Sequence, residues 1–225
     1  MKLVYFNGRG LAETSRLLFA ISGQTYEDFR YPLKIIDMKT WNMERKEFDA
    51  DKESGKLELS MNKLPALHLD NGSILCQSKT IERYLAKTFG MMGDNDIEYA
   101  YIDSICESIR DFKDAYQKVR RLEGDERENK MTEWFSNTLP HHLQNLEKVL
   151  NGSSLFEDGV NSYAVGNRTS LADVVIYAFI KQFFDEKEKS FQATENCPHI
   201  RSIIEHVGNN ENLKEWLEKR PVTPF

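Results

Sequence analysis

A turn and a helix start near position 75 have the residue types and spacing of a small anion site. The sequence predicts a proline-led strand over 63–69 and a second strand over 74–76. Asn71-Gly72 between them favours the positive φ angles of a two-residue hairpin turn, so the strands are expected to be antiparallel neighbours. Ser78 is predicted to cap the next helix, whose free N–H groups and positive dipole end suit a carboxylate. An ordinary hairpin feeding an ordinary capped helix is the alternative.

The cysteines and paired histidines do not indicate a metal site. Cys76, Cys106 and Cys197 are odd in number and widely spaced, and they fit neither a disulfide framework nor a Cys-x-x-Cys zinc pattern. Adjacent residues on a helix face different directions, so His141-His142 is interpreted as a solvated or structural pair. We therefore expect reduced thiols and no bound metal.

Composition narrows the functional classes. The 225 residues are 40% hydrophobic and 29% charged, which is typical of a soluble globular protein, and no apolar run approaches the roughly 20 residues of a membrane helix. A formal charge of −6 argues against a nucleic-acid partner. The apolar start ends at Asn7, too early for a signal peptide, so a cytoplasmic location and no membrane partner are expected.

The first part of the chain has the pattern of an α/β domain. A strand is predicted over 3–6, a helix over 11–21 with a stop at Gly23, and another strand over 26–31. This β-α-β unit should form a right-handed parallel crossover, and the hairpin and helix above complete a thioredoxin-like plan. The highly charged stretch 44–58 is interpreted as a mobile surface excursion.

Helical spacing replaces this pattern after Gly90. Apolar residues from Ile97 to Val119, with Tyr101 among them, recur on one face of a long predicted helix. A second helix is predicted over 131–150, and Pro140 should kink or divide it.

A third helix is predicted to begin at Ser170. The spacing of Ser170 and Asp173 is that of a capping box, and the apolar run 174–180 leaves little polar face. This helix is therefore expected at the buried centre of an all-helical domain. Two shorter helices are predicted over 198–207 and 213–219.

The change of pattern indicates two domains. Gly90-Met91-Met92-Gly93 is the best linker candidate. We predict an α/β, thioredoxin-like domain over residues 1–90 and an all-helical domain over 91–225.

The order of the motifs resembles the cytosolic glutathione transferases over nearly the whole chain. The resemblance is closest to the sigma class, with some mu-like features. It implies the glutathione transferase fold, glutathione as co-substrate, no metal, and a homodimer. The motifs that carry it are Tyr5-Phe6-Asn7 ahead of Arg9-Gly10-Leu11-Ala12-Glu13, Trp41, Lys63-Leu64-Pro65, Gln77-Ser78 and the capping box of residues 170–173.

The resemblance makes Tyr5 the catalytic residue. A tyrosine O–H at the end of the first strand can donate to the sulfur of glutathione and favour thiolate over thiol. From the residues alone, the alternative is a strand tyrosine packed in the core. Pro65 matches the family's cis proline, which aims the backbone of Leu64 at the cysteinyl part of the tripeptide. Gln77 and Ser78 match the residues that hold the γ-glutamyl carboxylate.

The resemblance assigns four further residues to glutathione. Trp41, Arg45 and Lys63 match positions around the glycyl end, where cations neutralise a carboxylate; packing for Trp41 and solvated charge for the other two are the alternatives. Asp111 matches an acid that reaches across a two-fold interface toward the glutamyl amine, so its role depends on a homodimer. Its alternative is a surface carboxylate.

The sequence also departs from the sigma class. Leu11 stands where an arginine near the sulfur is usual, so thiolate stabilisation is expected to rest on Tyr5 and a backbone N–H at the start of the first helix. Arg45 replaces a usual lysine. Arg110 and Lys118 occupy the places of an acid and a tryptophan in the sigma-class prostaglandin D synthase, which disfavours a metal-stimulated isomerase.

The leading interpretation is an enzyme whose bound thiolate attacks an apolar electrophile. A thiol-disulfide oxidoreductase on the same first-domain fold is set aside because it would need a cysteine in the first strand-to-helix loop, and the first cysteine is Cys76. A glutathione-dependent isomerase and a non-catalytic crystallin-like or ligand-carrying relative stay as alternatives. Measurement of the conjugation rate distinguishes the non-catalytic relative from an enzyme. The second-substrate pocket is expected between the domains, lined by Phe6, Asn7, Gly8, Tyr116 and the C-terminal residues 222–225, which include Phe225.

Overall fold

Strand β1 (Lys2–Phe6) lies inside the main sheet of this computed structural model, which describes residues 1–37, 42–152 and 161–223. Within that part of the chain the sheet has four strands, in the order β2-β1-β5-β6. β1 pairs parallel with β2 and antiparallel with β5, and β5 pairs antiparallel with β6. Its three other strands are β2 (Glu27–Tyr31), β5 (Ala66–His68) and β6 (Ile74–Cys76).

The predicted β-α-β unit is confirmed. A 3-10 turn (Gly10–Ala12) leads into helix α1 (Glu13–Ser22), which connects the parallel strands β1 and β2. Gly23 ends α1 with φ of 66°, and its N–H donates to the Ala20 carbonyl at 3.0 Å. This left-handed cap is the reason a glycine suits the position.

The hairpin is confirmed, but the prediction of a two-residue turn is wrong. The loop contains three residues, 70–72, because the Leu69 N–H donates to the Ser73 carbonyl at 2.9 Å. Gly72 takes φ of 85° and donates its N–H to the Leu69 carbonyl, whereas Asn71 does not have a positive φ. A turn closed by one left-handed glycine is the common three-residue hairpin, so the glycine alone carries the positive φ.

The interpretation of residues 44–58 as a mobile excursion is wrong. Helix α2 (Lys46–Glu53) occupies most of this stretch. Phe48 and Leu57 are only 4% and 7% exposed and join a core cluster with Val4 and Tyr31 of the sheet. Two apolar side chains are enough to anchor a charged segment when both are buried against the same sheet.

The remaining elements of the first part are a small antiparallel hairpin and a helix. The hairpin pairs β3 (Lys34–Asp37) with β4 (Asn42–Glu44), and α3 (Ser78–Thr88) follows β6. The chain forms two compact units, residues 1–85 with 215–225 and residues 86–214. The predicted domain boundary after Gly90 stays a prediction.

The second unit is helical. Pro140 lies in the first turn of one of its helices, directly after a π-helical segment (Trp134–Thr138), so the predicted division at this proline is confirmed. Proline lacks the N–H that a continuous α-helix needs there.

No helix in the described ranges is long and apolar enough to cross a membrane. The helices are α4 (Asp96–Arg120), α5 (Gly124–Glu133), α6 (Leu139–Gly152), α7 (Leu171–Ala178), α8 (Lys187–Gln192), α9 (Pro198–Gly208) and α10 (Glu211–Lys219), the last of which extends into the first unit.

Helix α7 is the predicted buried centre of this unit. All eight of its residues are buried, and it packs against α4 and α9. The predicted capping box of Ser170 and Asp173 is present. The Asp173 carboxylate also accepts the Ala164 N–H at 2.6 Å, so it joins the loop before α7 to the helix start.

The predicted inner face of α4 is partly wrong. Ile97 and Tyr101 are 58% and 36% exposed. The buried residues of α4 begin at Ile102 and continue through Ile105 to Tyr116. The first turns of this helix therefore carry an exposed apolar surface that the rest of the described chain does not cover.

Candidate active site

Tyr5 lies near the end of β1 with its ring buried and its hydroxyl held by the helix start. The side chain is 8% exposed, and the Leu11 N–H donates to Tyr5 Oη at 3.2 Å. Burial raises the pKa of the Tyr5 hydroxyl, and the Leu11 bond and the nearby Arg16 charge oppose that rise. The phenol therefore stays protonated near neutral pH, and its own proton remains available for an acceptor such as a sulfur.

The backbone N–H expected at the start of the first helix is present, but it is directed at the phenol. Leu11 donates this N–H to Tyr5, while the Leu11 side chain is exposed. An N–H that bonds the phenolic oxygen polarises the O–H and strengthens it as a donor. The N–H at the helix start therefore strengthens the Tyr5 hydroxyl as a donor and does not take its place as the donor to the sulfur.

Gly10 packs directly against the Tyr5 hydroxyl. Its φ is +41°, and a Cβ added there would lie 2.5 Å from Tyr5 Oη. No real Cβ contact is that short, so the tyrosine ring or the loop would have to move. The hydroxyl position therefore depends on a glycine at this position.

Replacing Gly10 with alanine is expected to lower kcat for conjugation roughly tenfold or more, because a displacement of about 1 Å at a reacting group costs up to a hundredfold. Steady-state kinetics with a chloronitrobenzene-type electrophile measure this loss. Gly72→Ala is the matched control, since Gly72 also has a positive φ, of 85°, but a Cβ there meets no atom within 4 Å. An equal loss in both variants would show that backbone strain alone, and not contact with Tyr5, sets the rate.

Leu64, Pro65, Gln77 and Ser78 lie at the ends of β5 and β6. The Leu64-Pro65 peptide bond is cis, as the family resemblance implied. Gln77, with φ of 72°, accepts the Ile81 N–H on its carbonyl at 3.0 Å, and Ser78 is the first residue of α3. The prediction that Ser78 caps the helix is therefore wrong by one residue, because Gln77 takes the half-helical cap position. Ser78 and the N–H groups of the first turn still present donors at this end of α3.

The predicted cations at the glycyl end are both on the surface. Arg45 precedes α2, pairs with Asp49 at 3.2 Å, and lies 5.1 Å from the centroid of the Phe48 ring. Lys63 is exposed. Trp41 lies outside the described residues.

The residues predicted for the second-substrate pocket belong to different units. Phe6 is half-buried, Asn7 is exposed and Gly8 is buried, and all three lie in the first unit. Tyr116 is a buried core residue of the helical unit, where its hydroxyl donates to Glu186 at 3.4 Å. Phe225 lies outside the described residues.

Asp111 lies on α4 in the second unit. Its side chain is exposed. The Arg110 guanidinium lies 3.9 Å from the Asp111 carboxylate and pairs more closely with Glu107, at 2.7 Å. This arrangement leaves the Asp111 carboxylate accessible to a molecule outside the chain.

The residue that sequence reasoning missed is Arg16. It is fully buried in α1, its Nη1 donates to the Gly8 carbonyl at 2.6 Å, and its Nε lies 3.2 Å from Asp28. Glu13 lies 3.6 Å from Arg16 and accepts a second bond from Arg220. The available signal was the pair of opposite charges three residues apart in a helix that has no other charged residue.

A metal centre has no support in the described ranges, 1–37, 42–152 and 161–223. No group of three or more His, Cys, Asp or Glu side chains is arranged there to hold an ion. Cys76, Cys106 and Cys197 are not in disulfide bonds.

Fold and site together define the class of protein. A thioredoxin-like sheet with a cis proline and a buried tyrosine at the first strand-to-helix turn, joined to a helical unit, is the architecture expected of a glutathione-dependent transferase. Comparison with protein families agrees. The glutathione S-transferase N-terminal domain matches residues 1–87, and the C-terminal domain matches residues 110–220.

Individual relatives cover the whole chain. Glutathione S-transferase 1 of Ascaris suum is 30% identical over 100% of this chain and 98% of its own length. S-crystallin SL11 of Nototodarus sloanii is 26% identical over 99% of this chain and 98% of its own. The crystal structure of monomeric Na-GST-3 from Necator americanus superposes with a TM-score of 0.75 at 29% identity, over 100% of this chain and 98% of that one.

The chain belongs to the glutathione S-transferase family. Membership makes it a transferase with glutathione as its co-substrate. The S-crystallin relative agrees with the resemblance to the sigma class. The mu-like features stay a prediction.

Proposed function

We propose that this enzyme holds glutathione as a thiolate through the Tyr5 hydroxyl and conjugates it to apolar electrophiles. The observation that carries the proposal is the Leu11 N–H donated to Tyr5 Oη, which occupies the oxygen and leaves the O–H to donate elsewhere. A hydrogen bond to the charged form lowers a thiol pKa from its usual value of about 8.5. The thiolate then attacks the electrophilic carbon, and the electron pair of the broken bond leaves with the departing group.

The tripeptide itself is proposed to lie along the ends of β5 and β6. The Leu64 backbone would pair with the cysteinyl unit, and Gln77 and Ser78 would hold the γ-glutamyl carboxylate at the start of α3. Arg45 and Lys63, with Trp41, would take the glycyl carboxylate. The exposure of both cations supports this role, because a free carboxylate must reach them from solvent.

The second substrate is proposed to contact Phe6, Asn7 and Gly8. Burial raises the pKa of the Tyr116 hydroxyl above its usual 10, with the Glu186 charge adding to the rise. Tyr116 therefore stays neutral near neutral pH, and its hydroxyl donates to Glu186. A cytoplasmic location, typical of the family, is part of the proposal.

The direct test of thiol activation is a pH titration of bound glutathione. The thiolate absorbs in the ultraviolet, so the apparent pKa of the bound thiol is measured without turnover in the wild-type enzyme and in Tyr5→Phe. A bound thiol that titrates at the free value of about 8.5 in the wild-type enzyme would contradict the proposal.

A homodimer is proposed as the working form. The exposed Ile97 and Tyr101, one turn apart on α4, supply an apolar surface of the kind that protein interfaces cover. The exposed Asp111 carboxylate, farther along the same helix, is free to approach glutathione bound to the other subunit.

Light scattering is expected to give twice the 26.2 kDa chain mass at assay concentration. Asp111→Asn should then raise KM for glutathione about two- to fivefold, the size of an exposed ion pair, and leave kcat unchanged. Asp114→Asn, one turn along α4 and also exposed, is the control and should have no effect. A single-chain mass under these conditions would rule out the shared site.

A further inference from the structure

The buried arginine of α1 belongs to a chain of alternating charges in the first unit. Arg30 and Arg16 both contact Asp28, at 2.7 Å and 3.2 Å. On its other side Arg16 faces Glu13, which also accepts a bond from Arg220. Arg220 lies 207 positions from Glu13 in sequence, in the C-terminal segment after α10 that belongs to the same unit.

This chain of charges ends at the loop that positions Tyr5. Arg16 Nη1 donates to the carbonyls of Gly8, at 2.6 Å, and Arg9, at 3.5 Å. The next residues of that loop are Gly10, which packs against the Tyr5 hydroxyl, and Leu11, which donates to it. Movement of the Arg16 guanidinium would therefore move the groups that set the direction of the Tyr5 O–H.

The same network places positive charge near the phenol. The guanidinium carbon of Arg16 lies 5.8 Å from the centroid of the Tyr5 ring. Arg30, Arg16 and Arg220 are the three cations of this network, and they contact the carboxylates of Asp28 and Glu13. A cation near a thiolate favours its charged form.

We propose that Arg220, acting through Glu13 and Arg16, is a positioning residue for thiol activation at Tyr5. The inference rests on the proposed role of Tyr5. Without Arg220, Glu13 is free to turn fully toward Arg16 and draw it from the Gly8 carbonyl, and the network loses one of its cations. Both changes disfavour a thiolate at the end of β1.

The test compares Arg220→Gln with Lys219→Gln. Lys219 is the neighbouring cation, and it pairs with Glu215 at the exposed surface of α10, so its removal costs the same formal charge without touching Glu13. The apparent pKa of bound glutathione is read from thiolate absorbance, and kcat/KM for a chloronitrobenzene-type electrophile is measured across pH.

For Arg220→Gln we expect the bound thiol pKa to rise by about half to one unit, and kcat/KM below neutral pH to fall roughly three- to tenfold. KM for glutathione should stay within about twofold, because Arg220 is not proposed to contact the tripeptide. Lys219→Gln should follow the wild-type profile. Arg220→Lys keeps the charge but lacks the planar guanidinium, so it should recover part of the loss in kcat/KM. This variant also tests the inference if Arg220→Gln folds poorly.

A lowered melting temperature with an unchanged pH profile in Arg220→Gln would make the network a structural brace only and would overturn the inference. If Tyr5→Phe raises the thiol pKa and Arg220→Gln does not, this inference alone fails. If neither variant changes the thiol pKa, the proposed role of Tyr5 fails first.

Discussion

Tyr5→Phe is expected to lower the conjugation rate at neutral pH by roughly ten- to a hundredfold, because a hydrogen bond to a charged group contributes about 1.5–3 kcal/mol. The apparent pKa of the bound thiol should rise toward its free value, while KM for glutathione stays within about twofold, since Tyr5 contacts only the sulfur in this mechanism. Burial keeps the Tyr5 hydroxyl protonated. The pH profile should therefore report the thiol and not the phenol.

Tyr177→Phe is the matched control for this variant. Tyr177 also loses a hydroxyl from a buried ring, but it lies on α7 in the second unit. The bound thiol pKa and the rate of the Tyr177→Phe enzyme should match those of the wild-type enzyme; equal rates in Tyr5→Phe and the wild-type enzyme would sink the assigned role.

Sequence reasoning was accurate where a local chemical preference decides the structure. Gly23 ends α1 in the left-handed region, and Ser170 with Asp173 begins α7, because the cap geometry is set within a few residues. Local preference favours a trans bond before Pro65, so it does not predict the cis bond that is present. Only the family resemblance supplied it.

The sequence-based predictions failed where contacts between residues distant in sequence determine the structure. Helix α2 is charged and has few apolar residues, and its position depends on Phe48 meeting Val4 and Tyr31 across the sheet. The Arg16 network depends on Arg220, from the other end of the chain. A single sequence contains no periodicity that reports either contact, since both form only after the sheet and α1 have packed.

The second large effect is expected in stability, at the start of α7. Asp173 is fully buried, and its carboxylate accepts the Ala164 N–H, the Ser170 N–H at 2.7 Å and the Ser170 hydroxyl at 2.5 Å. Asp173→Ala leaves these buried donors without partners, so the free energy of unfolding should fall by about 3–5 kcal/mol. Urea denaturation followed by fluorescence measures the loss.

Asp173→Asn removes the charge of this side chain but keeps an oxygen that accepts hydrogen bonds. Burial raises the pKa of the Asp173 carboxyl from 3.8 to about 6, against the opposing effect of its hydrogen bonds. A carboxyl whose folded pKa exceeds its unfolded pKa holds its proton more tightly when folded, so its contribution to stability falls as pH rises from about 4 to 6 and is constant above. The free energy of unfolding of the wild-type enzyme, minus that of Asp173→Asn, should therefore decrease across this window. A difference that increases with pH there would show that hydrogen bonding to the carboxylate outweighs its desolvation.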